Sequence, residues 1–202
     1  MRNAVLVRSY GATPYDYSEI FRYAGVRSAD GDMNELLEQC LLECEDCFSY
    51  NVCYTTLPVN LGGGLVEFGG LKVGSKNLSA ALNGCESVVV FAATVGLGID
   101  RLIKKYSRIS PSKALMFQAI GTERAESLCE SFCKDLREEL DEKGFETRPR
   151  FSAGYGDFPL SCQRDIFAML DGCRRIGLCL NESLLMSPSK SVTAVVGIKR
   201  KG

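Results

Sequence analysis

The stretch Thr147-Arg148-Pro149-Arg150-Phe151-Ser152-Ala153-Gly154-Tyr155-Gly156-Asp157-Phe158-Pro159 decides how the rest of the chain is read. It is too rich in Gly and Pro for a regular element, yet it carries two arginines and three aromatic residues. Arg150 offers a planar fork suited to a carboxylate. Gly154 and Gly156 allow a ligand to approach the backbone closely, and Tyr155 adds a flat face with a hydroxyl. Such a segment suits an amino-acid-like ligand. On physical grounds alone, an ordinary surface loop is the favoured reading.

Outward from this segment, the pattern alternates between helix and strand. Pro111 opens a long helix over about 112–143, with Gly121 as a candidate break and Gly144 as its stop. Residues 159–176 read as helix, and Leu178–Ser183 and Val192–Ile198 read as strands around a turn at Pro188. Upstream, 15–28 and 32–47 read as helices, the second capped by Asp32 or Asn34. Residues 52–59 and Leu65–Phe68 read as short strands, separated by the glycines at 62–64. Ser75 opens a short helix that Gly84 stops. Cys85–Ala93 is a nearly continuous apolar run, as expected of a strand covered on both faces. Ile99–Tyr106 returns to helix. The order strands, helices, strands favours α+β over a doubly wound sheet.

The 202 residues are 46% hydrophobic and 24% charged, enough for one sizeable core, so a single domain over 1–202 is expected. Twenty-four basic residues against 25 acidic give a net charge of −1. This excludes nucleic-acid binding through bulk charge. No run approaches the length of a membrane span. The chain has no His, which removes imidazole general acid–base catalysis, Ser–His and Cys–His nucleophiles, and His-liganded zinc. Ten cysteines without a recognisable signal peptide point to a reduced, cytoplasmic protein in which Cys packs as a small hydrophobe.

Two further motifs bear on function. Cys40-x3-Cys44-x2-Cys47 has the spacing of a four-iron cluster loop, with Cys53 as a possible fourth ligand. Its helical periodicity favours packing, so an iron–sulfur redox protein is the lesser alternative. Thr94-Val95-Gly96-Leu97-Gly98 follows an apolar strand and resembles a phosphate-binding turn, but Arg101 breaks the G-x-G-x-x-G pattern. A structural turn is the better reading.

The segment Arg150-Phe-Ser-Ala-Gly154-Tyr155-Gly-Asp-Phe-Pro159 resembles the R-x-x-x-G-Y-x-x-x-P signature of the activation domain of cobalamin (vitamin B12)-dependent methionine synthase. Ile176-Gly177-Leu178-x-Leu180-Asn181-Glu182-Ser183-x-x-Met186-x-Pro188-x-x-Ser191-Val192 is similar to the family's second motif. Ser75-x-x-Leu78-x-x-x-Leu82-x-Gly84-Cys85 and the Ala93–Gly96 turn resemble its stand-alone short members. The resemblance covers about 75–198, leaving 1–70 as N-terminal helices and short strands.

This resemblance implies a curved, mainly antiparallel sheet flanked by helices. It implies binding of S-adenosylmethionine and reactivation, in trans, of a methionine synthase whose cobalamin has oxidised. The partner is then a cobalamin-binding module of that synthase or another corrinoid protein, with a flavodoxin-like electron donor. Carried over by position, Arg150 grips the ligand carboxylate. Ser152 and Gly154 contact the ligand through backbone groups, and Tyr155 lines the pocket facing the corrin as the catalytic candidate. Glu126, in Glu123-Arg-Ala-Glu126-Ser, attracts the ligand's ammonium or sulfonium charge. No metal ligand is implied on this chain. The family's Pro before Gly-Tyr is Ala153, and Val192–Gly202 lacks the family's later Tyr. A module that binds a corrinoid protein without S-adenosylmethionine is the other alternative.

Overall fold

The computed structural model describes residues 4–27 and 30–201; Met1–Asn3, Ser28, Ala29 and Gly202 lie outside the described residues. The strands are β1 Leu6–Tyr10, β2 Tyr50–Pro58, β3 Asn60–Gly62, β4 Leu65–Phe68, β5 Leu71–Val73, β6 Ser87–Thr94, β7 Phe145–Thr147, β8 Cys179–Leu180, β9 Met186–Ser187 and β10 Ser191–Arg200. The helices are α1 Tyr17–Tyr23, α2 Gly31–Cys44, α3 Lys76–Ala81, α4 Gly98–Tyr106, α5 Pro111–Asp141, α6 Gln163–Leu170 and α7 Gly172–Ile176. A curled antiparallel sheet runs β1-β2-β6-β10-β7, which makes the fold α+β.

Strand β6 is central and buried on both faces, as its unbroken Val-Val-Val-Phe-Ala-Ala run requires. Its side chains alternate between two cores. Val89, Phe91 and Ala93 join one with α1, α2 and α5. Val88, Val90 and Ala92 join the other with α3, α6 and the β4–β5 hairpin. The middle of β10 splits in the same way, with Ala194 and Val196 on the α5 side and Val195 on the α6 side.

Helix α5 runs unbroken through Gly121, against the expected break. That glycine serves close packing instead. A Cβ there would lie 2.9 Å from Lys190 Cγ and 3.1 Å from Ile99 Cγ1. Asp30, not Asp32 or Asn34, caps α2 by accepting from the Met33 N–H. The helix expected over 159–176 is divided: a 3-10 turn at Leu160–Cys162 precedes α6, and Asp171 adopts a left-handed conformation (φ 51°) before α7. The strand expected over Leu178–Ser183 shortens to β8, because Asn181 closes a tight turn to Leu185. β1 was not expected. It is an edge strand with Leu6 and Val7 exposed, so its sequence lacks a buried-strand pattern.

The all-thiol reading is corrected at one place. The chain reverses at Gly177, and Cys179 of β8 forms a disulfide with Cys173 of α7. The other eight cysteines are free. The four-cysteine cluster set does not assemble. Cys40 and Cys44 pack in the α5-side core, whereas Cys53 points through the sheet into the α6-side core. Burial pushes the Cys44 thiol up to about 12 and the Cys53 thiol to about 11, so both are protonated at neutral pH. No helix among the described residues is long and apolar enough to cross a membrane.

One ionic cluster sits inside. Arg124 is fully buried on α5 and donates to both carboxylate oxygens of Glu123, each at 2.5 Å. It also donates to the Thr13 and Pro14 carbonyls at 2.5 and 2.9 Å and lies 4.1 Å from the Tyr15 ring centroid. The Glu123 carboxylate also accepts from the Asp16 N–H, at the start of α1. The cluster therefore fastens the 13–16 segment to α5. Replacing Arg124 with Met strands a buried carboxylate, so Arg124→Met is expected to cost ~3–5 kcal/mol. Urea unfolding checks this: the midpoint should fall sharply with the slope unchanged, and a loss under about 1 kcal/mol would refute the role.

Candidate functional site

The outer edge of β10 changes partner along its length. β7 pairs with Ile198–Arg200. Arg148 then donates to the Gly197 carbonyl, and Phe151 exchanges both backbone hydrogen bonds with Val195. Next the chain turns away, with the Tyr155 N–H donating to the Ser152 carbonyl at 3.2 Å. By the two-residue repeat, Thr193 is the next β10 residue whose main-chain groups face this edge. No strand pairs with it there among the described residues.

A cavity of about 420 Å³ opens where that edge is left uncovered. Glu126 of α5, Arg150, Ser152 and Tyr155 line it together, bringing four of the five expected residues to one place. Gly154 is the exception. Its N–H donates to the Phe158 carbonyl at 2.8 Å, so it shapes the turn rather than lining the cavity. Arg150 and Glu126 are not independent groups. They form a hydrogen-bonded ion pair, so Glu126 already holds the fork expected to take a ligand carboxylate. Burial works against the Arg150 charge, but the Glu126 hydrogen bond and the electrostatic contributions of Cys129, Glu126 and Cys133 together hold the guanidinium above its usual pKa. Tyr155 stands at the mouth, 68% exposed.

Two polar residues of the wall lie outside both motifs and were missed by sequence reasoning. Gln163, at the first turn of α6, and Thr193, on β10, both line the cavity and are buried. Gln163 Oε1 and Thr193 Oγ1 have no hydrogen-bond partner. Thr193 directly follows the Ser191-Val192 pair of the second motif, so position alone could have flagged it. Gln163 gave no signal, since it sits inside a segment that reads as plain helix. Ser191 keeps the strand in place: its hydroxyl hydrogen-bonds that of Thr94 and donates to the Pro188 carbonyl, each at 2.8 Å.

The loop that bears Arg150 and Tyr155 is anchored at its far end. The Asp157 carboxylate accepts from Ser75 Oγ at 2.5 Å, the Lys76 N–H at 2.7 Å and the Asn77 N–H at 3.1 Å. Ser75 Oγ in turn accepts from the Leu78 N–H and caps α3. Gly156, at φ 55°, lies against this junction, where a Cβ would fall 2.0 Å from Asn77 Nδ2. The Ser75–Leu78 and Arg150–Pro159 motifs are thus two halves of one contact.

The model of the family described as vitamin B12 dependent methionine synthase, activation domain, matches residues 79–201, more than half of the chain. The chain belongs to that family. Its fold is similar to the crystal structure of the MetH reactivation domain bound to AdoHcy, with a TM-score of 0.66 and 17% identity over 97% of this chain and 78% of that one. At this identity the likeness is one of fold. No curated protein matches this activation-domain chain.

The Ser75 hydrogen bond, with the two amides, holds the Asp157 carboxyl below its ordinary value of 3.8. A carboxyl depressed in the folded state contributes fully above its unfolded pKa, and the contribution is lost as pH falls through the folded value. The amide resonances of Lys76 and Asn77 are therefore expected to hold steady at neutral pH and to shift only below pH 3.8. In Asp157→Asn that acid transition should disappear. A transition that persists in the variant would assign it to another group.

Proposed function

We propose that this chain binds S-adenosylmethionine in the cavity between α5 and the Arg150–Tyr155 loop, and reactivates a cobalamin-dependent methionine synthase in trans. The observation that carries this reading is the Arg150–Glu126 pair at the wall of a cavity of about 420 Å³. Opposite charges there match a ligand that has both a carboxylate and cationic groups. The unpartnered Gln163 and Thr193 atoms, on residues that line the cavity, support the fit of such a ligand. S-adenosylmethionine supplies the methyl group, and the partner's cobalamin receives it together with an electron.

The chain's own part is binding and orientation. When the ligand carboxylate engages Arg150, Glu126 is released to face the ammonium or sulfonium. Ser152 and the Gly154 turn hold the backbone around the ligand, and Tyr155 at the mouth presents its ring to the docking corrinoid module. The partner is the cobalamin-binding module of a methionine synthase, with a flavodoxin-like protein as electron donor and the cytoplasm as the setting. The extent of the unit, 1–202, belongs to this proposal.

Arg150→Ala is expected to weaken S-adenosylmethionine binding by more than about tenfold in calorimetry, because it removes a charge-assisted pair. Glu126→Gln should weaken S-adenosylmethionine more than AdoHcy, since both carry the ammonium and carboxylate but only the former carries the sulfonium. Tyr155→Phe should leave binding intact and slow the regain of activity by oxidised synthase mixed with reductant. Wild-type affinity in Arg150→Ala, or no regain of activity with the unaltered chain, would overturn the reading.

A further inference from the structure

Buried polar atoms without partners are uncommon, because each forfeits its hydration and gains nothing in return. Four side-chain atoms of this kind occur among the described residues. Two of them, Gln163 Oε1 and Thr193 Oγ1, belong to residues that line the same cavity and are 6% and 2% exposed. They come from separate elements, α6 and β10, so local sequence does not account for their meeting. The main-chain groups of Thr193 also face the unpaired strand edge there.

Apolar side chains share the lining with these polar groups. Phe151, Ala153, Met186 and Val192 line the cavity too. A ring with apolar faces and a polar edge satisfies both requirements at once. The available groups are an acceptor at Gln163, a hydroxyl that can donate or accept at Thr193, and a strand-edge N–H and C=O. The complementary ligand edge offers an N–H donor beside a ring-nitrogen acceptor.

We infer that Gln163 and Thr193 are specificity-determining residues that read the amino–imine edge of the ligand's adenine ring. The inference rests on the functional reading above and adds to it the group by which the cavity discriminates. A site built to hydrogen-bond a ligand rejects an analogue that leaves its buried groups unmet. Replacing the exocyclic amine of adenine by an oxygen reverses the donor and acceptor at this edge. The unmet atoms also burden the empty protein, so substitution by apolar groups of similar shape relieves it.

The probes are S-adenosylmethionine and its 6-oxo (inosyl) analogue, titrated by calorimetry into the full chain. The chain should bind the adenine form at least about tenfold more tightly. In Gln163→Leu and Thr193→Val this preference should shrink to about threefold or less, mainly through weaker binding of the adenine form. Without ligand, both variants should melt at or above the temperature of the unaltered chain, which separates lost recognition from lost folding. Failure of the unaltered chain to bind S-adenosylmethionine would overturn the functional reading and this inference with it. Binding of S-adenosylmethionine with no preference between the probes, or a preference kept in both variants, would overturn this inference alone. Variants that melt well below the unaltered chain would show the two side chains to be structural, and would likewise overturn it.

Discussion

Everything in this molecule is arranged around the double burial of β6. A strand with apolar side chains on both faces needs two cores, one for each set of alternate residues. The α5-side core fills with long-helix residues such as Phe117, Ile120 and Phe132. The α6-side core fills with pieces from many short elements, among them Leu78, Phe158 and Ile166. One side is therefore a continuous helical surface and the other an assembly of loops and short helices. β10 lies beside β6 and shares the division, so the space beyond its outer edge borders both.

That border is where the cavity forms. Glu126 reaches it from the helical side and Gln163 from the assembled side, while Arg150 belongs to the segment running along the edge between them. The site needs no residue from the β1–β2 end of the sheet. Its charge is internally balanced by the Arg150–Glu126 pair, and its hydrogen-bonding capacity is not, because Gln163 and Thr193 remain unmet. Charge neutrality lets the empty cavity exist without an uncompensated ion. The unmet polar atoms give a ligand something to gain by entering.

The sequence made the fold class readable because the strongest signals were long. The apolar run ending at Ala93 and the stripe of α5 each outlast any local ambiguity. Short or edge elements were not readable: Leu6–Tyr10 is an exposed edge strand, and Asp171 interrupts what looks like one helix. Gly121 misled because propensity treats glycine as a breaker, whereas here it makes room for Ile99 and Lys190. At the site, Arg150, Ser152 and Tyr155 were legible through a contiguous motif. The pairing of Arg150 with Glu126 joins residues 24 positions apart on different elements, which no local pattern encodes. Thr193 adjoins the second motif, whereas only the unmet buried oxygen of Gln163 marks it as part of the site.

The buried Arg124 has a consequence for the site that it never touches. A helix held by apolar contacts alone can roll a little about its long axis, because greasy surfaces impose no direction. Arg124 and its neighbour Glu123 act as a key in a slot: they hydrogen-bond to fixed main-chain groups at Thr13, Pro14 and Asp16, and so allow α5 one angular setting. Glu126 is less than one turn further along the same helix. The angle at which its carboxylate meets Arg150 is therefore dictated by a segment near the beginning of the chain.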